Sequence, residues 1–451
     1  MSKPPLSRAL IVYSNGDRVG VLLDQDNIWK FSYDPGWVAR PDAFALTPSL
    51  SLGNLDIIDG SSERPVQWFF DNLLPEERLR EVVAKEAGIR APEDAFALLS
   101  YLGRESAGSL TLLPYGEPIE RGRQLEELSD GELSARIRNL PRSSLVNHQR
   151  KRMSLAGAQH KMLAVIKYEQ APHLYQHLYE PVGGAASTHI LKPNHPDVAD
   201  YPASVMNEYV TMRLAEAAKL QVPSVEIRYV PEPVYCIKRF DRAYSMTAME
   251  RAPRLESAEV TRLHVLDGCQ LLNIPSVMKY SSASLDTLIR LIEHCRNKAS
   301  TRTALFRWLV FNMAVGNNDN HLKNLSFFVN HTGIELAPHY DLLCTLAYET
   351  KALAETSHLS DWSDRPLVFP LPGAERFSQV TRSRVIEGGV KLGLGRGMAG
   401  RILDETRVRV HKAVPDLLGE NALHLKGNPQ HLRVARAMGQ IVIGEMLERL
   451  K

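Results

Sequence analysis

Gly316-Asn317-Asn318-Asp319-Asn320-His321-Leu322-Lys323-Asn324 is followed, after a short apolar run, by His339-Tyr340-Asp341. The first stretch spaces an Asp and an Asn as D-x-x-x-x-N, and the second supplies another carboxylate. Phosphoryl transfer asks little covalent chemistry of a protein. It needs one carboxylate beside the attacking hydroxyl, and oxygen ligands for the Mg²⁺ ions that neutralise the phosphates. Asp319, Asn324 and Asp341 suit those roles, in the layout of a protein-kinase-type site. Asn-Asn-Asp-Asn is also a way to write a turn, because Asn and Asp bond their own backbone. The flanks put the cluster on a loop. Leu305, Trp308, Leu309 and Met313 are apolar at helical spacing and stop at Gly316. Residues 325–329 and 333–336 read as a hairpin that returns Asp341 beside Asn324. The alternation in Asp319-x-His321 and His339-x-Asp341 leaves a second chemistry open, a hydrolytic zinc or manganese site.

A kinase needs a phosphate loop and a lysine upstream, and the chain has a candidate for each. Ser154-Leu155-Ala156-Gly157-Ala158-Gln159-His160-Lys161 is a turn of small residues before the strand-like 162–166, so backbone N–H groups can come close to a triphosphate. It lacks the Walker A pattern, and a plain hairpin turn is the bland alternative. Thr188-His189-Ile190-Leu191-Lys192 ends a short strand on a lysine placed to reach phosphates; a solvated edge lysine is the alternative. Met206, Val210, Leu214 and Ala218 recur every four residues, which predicts an amphipathic helix over 202–220 with Glu208 placed to pair with Lys192. Strands at 225–230 and 234–237 then lead into Lys238-Arg239-Phe240-Asp241-Arg242, where main-chain groups at a sheet's end are expected to read an adenine edge.

In this order the motifs resemble the HipA family of bacterial serine/threonine kinases, the toxin half of the HipA–HipB toxin–antitoxin pair. Weaker matches are Phe69-Phe70-Asp71-Asn72-Leu73-Leu74-Pro75, Gly103-Arg104-Glu105-Ser106-Ala107-Gly108 and Leu272-Asn273-Ile274-Pro275-Ser276-Val277-Met278-Lys279-Tyr280, so the resemblance runs from the N-terminus to about residue 345. It implies an α+β, two-lobed protein-kinase-like fold with an extra N-terminal β-rich subdomain and a mainly helical C-terminal lobe. The expected divisions are an N-terminal subdomain at 1–116, a connector at 117–147, the kinase-like N-lobe at 148–245 and the helical C-lobe at 246–451.

The resemblance also implies ATP and Mg²⁺ as cofactors. Asp319 would be the catalytic base, Asn324 and Asp341 the Mg²⁺ ligands, and Lys192 the phosphate contact. Ala156, Gly157, Ala158, Gln159, His160 and Lys161 would form the phosphate loop, and Lys238, Arg239 and Phe240 the adenine-contacting hinge. His321, Leu322, Lys323 and Tyr340 would line the same pocket. Ser154, just before the loop, would be the autophosphorylation site, its phosphate repelling the nucleotide and switching the kinase off; a serine capping a turn is the alternative. The best-known member has acidic residues where this chain has His160 and Lys238. Implied partners are a HipB-like helix-turn-helix antitoxin dimer and a protein substrate that is an aminoacyl-tRNA synthetase, glutamyl-tRNA synthetase in the best-known case. Operator DNA would be contacted mainly through the antitoxin, with Arg382, Arg384 and Lys391 in the region where the family touches it. A small-molecule kinase with the same D-x-x-x-x-N site, and an inactive pseudokinase co-repressor, stay open.

Composition is consistent with that class. The chain has 451 residues, with 54 Lys+Arg against 52 Asp+Glu, so no bulk charge draws it toward nucleic acid or membrane. Cys236, Cys269, Cys295 and Cys344 lie in apolar runs without metal spacing and read as buried thiols of a reducing compartment. The start has no apolar signal stretch, and no run is long enough to span a membrane, so a cytoplasmic protein is expected. Alternation around Asn15-Gly16 and Asp26-Asn27 predicts a meander of strands at 8–13, 18–24 and 28–33. Helices are predicted at 65–74 and 76–87, at 130–140 within an otherwise polar connector, and at 429–450.

Overall fold

In the computed structural model, residues 8–120, 122–140, 144–145, 159–168, 176–244, 260–354, 361–425 and 428–451 are described. The meander forms as the alternation requires. Strands β1 (Arg8–Ser14), β2 (Asp17–Gln25) and β3 (Ile28–Tyr33) pair antiparallel. Asn15, Gly16, Asp26 and Asn27 all carry positive φ, the geometry that two-residue hairpins demand. Among the described residues β4 (Asp56–Ile58) and β5 (Leu110–Pro114) extend this sheet in the order β4-β3-β2-β1-β5. Helices Pro65–Asp71 and Ala95–Leu102 close over one face. Their aromatic residues supply the core: Trp29 meets Phe96 edge-on at 5.2 Å, and Phe31 meets Phe70 at 5.7 Å.

The second sheet is built from β6 (Arg123–Glu127), β7 (Met162–Tyr168), β8 (Gln176–Gly183), β9 (His189–Pro193), β10 (Val225–Tyr229) and β11 (Pro233–Lys238). Among the described residues its order is β10-β11-β9-β7-β8-β6, antiparallel throughout. Strand β6 lies in the stretch expected to be a polar connector. Arg-Gln-Leu-Glu-Glu has one apolar residue, so no alternation marks it; main-chain pairing with β8 makes it an edge strand. Helix Asp130–Arg138 follows, started by a capping box between Ser129 and Glu132.

Helix Ser204–Ala217 is not amphipathic, although its apolar residues recur every four positions. Asn207, Glu208 and Thr211 are buried as fully as Met206 and Val210. It packs on β10 and β11 on one side and on the long helix Arg396–Leu418 on the other, so only a narrow strip at Arg213 and Glu216 is left to solvent. The helical lobe centres on Lys298–Val315, capped by Asn297 at its start and by Gly316 (φ +64°) at its end. A Cβ at Gly316 would run into the Val442 side chain, so glycine is required there twice over. The last helix, expected over 429–450, is helical at Pro429–Arg436 and Gly444–Arg449 but relaxes into π geometry between them, at Ala437–Ile443.

A buried charge cluster ties the N-terminal subdomain to the second sheet and the chain just after it. Arg242 donates to Glu105 at 2.9 Å, and Arg239 to Asp241 at 2.6 Å. Asp241 also accepts the Gly108 N–H at 2.7 Å, and Arg239 reaches Ser187 at 3.0 Å. Glu105 and Arg242 have no exposed side-chain surface. Removing one member of such a cluster strands the others. Glu105→Gln is therefore expected to lower unfolding free energy by about 3–5 kcal/mol, read as a fall in the urea midpoint, whereas the exposed Glu93→Gln should leave it unchanged.

Candidate active site

The polar loop after Gly316 is a turn and a presentation device at once. Asn317 donates to Asn312 at 2.7 Å, and its side-chain oxygen accepts the Asp319 N–H at 3.0 Å. Asn318 is bonded to Thr345, and Asn324 donates to the Asp319 carbonyl at 2.7 Å. The asparagines thus use their backbone-bonding habit to hold the loop, leaving the Asp319 carboxylate half-buried at its crest. Burial raises Asp319 to about 6, with help from the nearby Asp341 charge and in spite of a hydrogen bond from Tyr280. A carboxylate poised near neutrality suits a proton acceptor.

Asp341 stands past the hairpin of Ser326–Asn330 and Gly333–Leu336, in a left-handed conformation (φ +56°) that a non-glycine residue adopts only when its surroundings hold it there. Lys192, near the end of β9, donates to Asp341 at 2.6 Å and to Glu208 at 2.7 Å. Burial works against the charge of Asp341, but Lys192, with Lys161 and His321, outweighs it and holds the carboxyl down to about 2. Burial likewise opposes the Lys192 charge, and the two carboxylates overcome that and keep it above the ordinary lysine range. Glu208 lies deepest, and burial pushes it up to about 7 in spite of Lys192. One ammonium shared by two carboxylates leaves Asp341 able to take a further cation.

The donor set decides which cation fits. Asp341 and Asn324 offer hard oxygens, and among the described residues no three His, Cys, Asp or Glu side chains converge into a metal cage. That is a poor zinc site. It suits Mg²⁺, which is usually held by one or two protein oxygens together with phosphates and water.

The nucleotide-side residues divide. Lys238 and Arg239 spend their amides on Ser224 and Thr188, while the Phe240 N–H meets no acceptor among the described residues. The Phe240 ring lies 5.5 Å from Tyr340 and 5.9 Å from Phe328, and Tyr340 donates to the Lys323 carbonyl at 2.8 Å. The charged groups of Arg239 and Lys323 are committed elsewhere. Arg239 belongs to the Asp241 cluster, and the Lys323 ammonium donates to Asp267 at 2.6 Å and to the Asn72 side chain and carbonyl at 2.8 Å each. Lys323 is thus a clamp on the N-terminal subdomain, with no donor left for a phosphate. Leu322 is core, and its amide meets the Lys279 carbonyl at 3.4 Å. His321 is buried, which lowers it to about 4. Gln159, His160 and Lys161 enter the described chain just before β7, with Lys161 lowered to about 8 by burial and by the Lys192 charge. Ser154, Ala156, Gly157 and Ala158 lie outside the described residues.

Sequence reasoning did not single out Asp267, Glu76 or the Tyr280 hydroxyl. Asn72, Lys279 and Tyr280 sat inside quoted motifs, but nothing in a spacing of 251 residues announces that Asn72 meets Lys323.

Residues 153–414 match the HipA-like C-terminal domain and residues 10–113 the HipA N-terminal domain. The chain belongs to the HipA family. Candidate kinase Y4mE of Sinorhizobium fredii is 36% identical over 354 residues, 76% of this chain and 78% of that protein. The serine/threonine-protein kinase toxin HipA of Shewanella oneidensis is 28% identical over 334 residues, 70% of each. The solved complex of Shewanella oneidensis HipA, HipB and operator DNA contains a chain that superposes with a TM-score of 0.71 at 23% identity, covering 97% of this chain and 99% of that one. The fold is the α+β, two-lobed, kinase-like HipA fold, and its family is one of toxin serine/threonine kinases.

Several histidines near this site and beyond are buried in the neutral form. Burial lowers His189 and His339 to about 3 and His264 to about 4. Their folded values lie below the unfolded one, so the unfolded chain takes up protons first. Stability is whole above pH 6.5 and declines as pH falls toward 4, by up to about 1.4 kcal/mol per pH unit for each histidine. The urea midpoint is expected to fall between pH 6 and 5, less steeply than the histidines alone would give, because Asp319 and Glu208, raised in the folded chain, oppose them there. A midpoint unchanged at pH 5 would contradict these burials.

Proposed function

We propose that this chain is an ATP-dependent serine/threonine protein kinase and the toxin of a HipA–HipB type pair. The observation that carries this is Lys192 held between Glu208 and Asp341 while Asp319 and Asn324 share one hydrogen-bonded loop. Lys192 is placed to exchange Asp341 for the phosphates of ATP. Asn324 and Asp341 would hold Mg²⁺, which when bound neutralises charge on the phosphates. Asp319 accepts the proton of a substrate serine or threonine hydroxyl. The Phe240 amide would read the adenine edge, with the ring of Phe240 against Tyr340 forming one wall. An inactive co-repressor would have no need for this full set of charged groups, each held in place by others.

Ser154 would be the autophosphorylation site that turns the enzyme off, and Ala156 to Lys161 the loop that its phosphate displaces. A HipB-like dimer is the expected partner, since the Shewanella oneidensis chain of the same fold was solved with HipB and operator DNA. Arg382 is paired with Asp404 and Lys391 with Asp286, and Arg384 donates to the Gln379 carbonyl. These basic groups are already engaged, so sequence-specific DNA contacts are assigned to the antitoxin. An aminoacyl-tRNA synthetase, such as glutamyl-tRNA synthetase, is the proposed substrate, and its phosphorylation would arrest growth. Among the described residues no helix is long and apolar enough to cross a membrane.

Asp319→Gln and Asp341→Gln are expected to reduce transfer from Mg-[γ-³²P]ATP by about 10²–10⁴-fold and to relieve growth inhibition without unfolding the protein. Ser154→Ala should lack one phosphate by intact mass yet still bind ATP. Transfer by Asp319→Gln near the wild-type rate would overturn the site assignment.

A further inference from the structure

The short 3₁₀ turn Ser276–Met278 delivers Lys279 and Tyr280 to the edge of the catalytic loop. The turn is anchored on both sides. The Lys279 ammonium is bonded to Glu76 of the N-terminal subdomain, and its carbonyl accepts the Leu322 N–H of the catalytic loop. The Tyr280 ring meets His321 edge-on at 4.8 Å, and its hydroxyl donates to Oδ1 of Asp319. Lys279 Nζ lies over the ring, 5.3 Å from its centroid, and 43% of the residue is exposed. Val277 (87%) and Met278 (44%) stand exposed beside it, an apolar approach to the same carboxylate.

A phenol O–H on the proposed base is not a neutral arrangement. The acceptor in phosphoryl transfer must bring its own hydroxyl to that carboxylate, as a donor, before the proton can pass. Tyr280 already makes that bond. Its anchored turn sets it there, and its exposed edge leaves it room to swing outward once the ring leaves Lys279 and His321. We propose that the Tyr280 hydroxyl holds the acceptor's place on Asp319, so that a substrate serine or threonine enters by exchange with it and water is kept from the base meanwhile. The inference rests on the assignment of Asp319 made above. Tyr280 is then a specificity-determining residue. An acceptor is productive only if it displaces a hydrogen bond, which a segment seated on Val277 and Met278 does readily and a lone water molecule does not.

Tyr280→Phe removes the hydroxyl and keeps the ring on His321. The full chain, freed of phosphate with a phosphatase, would be assayed with Mg-ATP alone and with myelin basic protein as a generic acceptor. Acceptor-free ATP hydrolysis is expected to rise about threefold or more, and KM for myelin basic protein to fall by a similar factor with kcat little changed. The added hydrolysis should vanish in the Tyr280→Phe, Asp319→Asn double variant. Unchanged hydrolysis and KM would overturn the proposal. So would a fall in kcat at constant KM, which would make the hydroxyl a support for Asp319 rather than a stand-in for the acceptor. Should Tyr280→Phe fail to fold by circular dichroism, Tyr280→Met is tested against the same expectations. If the wild-type chain transfers no phosphate to any acceptor, the kinase assignment itself fails; if it does and Tyr280→Phe matches it, this inference alone fails.

Discussion

The ammonium of Lys192 between Glu208 and Asp341 is the interaction on which the rest of the molecule depends. It joins three separate pieces of chain: a sheet strand, a largely buried helix, and the segment past a hairpin of the other lobe. Each partner would be costly to bury alone, and together they are only partly balanced. Asp341 keeps its charge beside the lysine, where its left-handed backbone places it. A buried helix carrying Glu208, Asn207 and Thr211 makes sense only because each has a partner. Asn207, for one, is bonded to the Cys344 main chain at 2.8 and 3.0 Å.

Two further polar clusters fix the N-terminal subdomain against this centre. The Glu105–Arg242–Arg239–Asp241 cluster grips the chain at the hinge, and Asn72, Asp267 and Lys323 grip the catalytic loop from behind. The subdomain therefore touches both Arg239, next to Phe240, and Lys323, in the loop that carries Asp319. Strain or movement at its surface would reach Phe240 and Asp319 through buried, oriented hydrogen bonds rather than through loose apolar packing.

Much of this was legible in the sequence, for local reasons. Two-residue turns announced the meander, helical spacing and Gly316 fixed the helix before the catalytic loop, and D-x-x-x-x-N with a later Asp marked the charged centre. The four cysteines are buried thiols, as their apolar surroundings implied. What escaped was non-local. Strand β6 carries no alternation because its place is secured by main-chain pairing. The helix bearing Glu208 looked amphipathic because its polar residues are satisfied internally, which periodicity cannot register. Arg239 and Lys323, expected along the nucleotide pocket, have their charges turned into clusters, Arg239 with neighbouring Asp241 and distant Glu105, Lys323 with distant Asn72 and Asp267. Tyr280 was quoted within a motif, yet its partner Asp319 could be found only once the chain was folded.

The most direct test of the central claim is calorimetric binding of a non-hydrolysable ATP analogue, with and without Mg²⁺, to the wild-type chain and to Lys192→Met. The account requires that the wild-type chain bind the analogue with an affinity that Mg²⁺ strengthens. Lys192→Met should bind at least about tenfold more weakly, the loss of one charge-assisted contact, while keeping its fold by circular dichroism. A folded Lys192→Met that binds the nucleotide as tightly as the wild type, or a wild-type affinity indifferent to Mg²⁺, would contradict it.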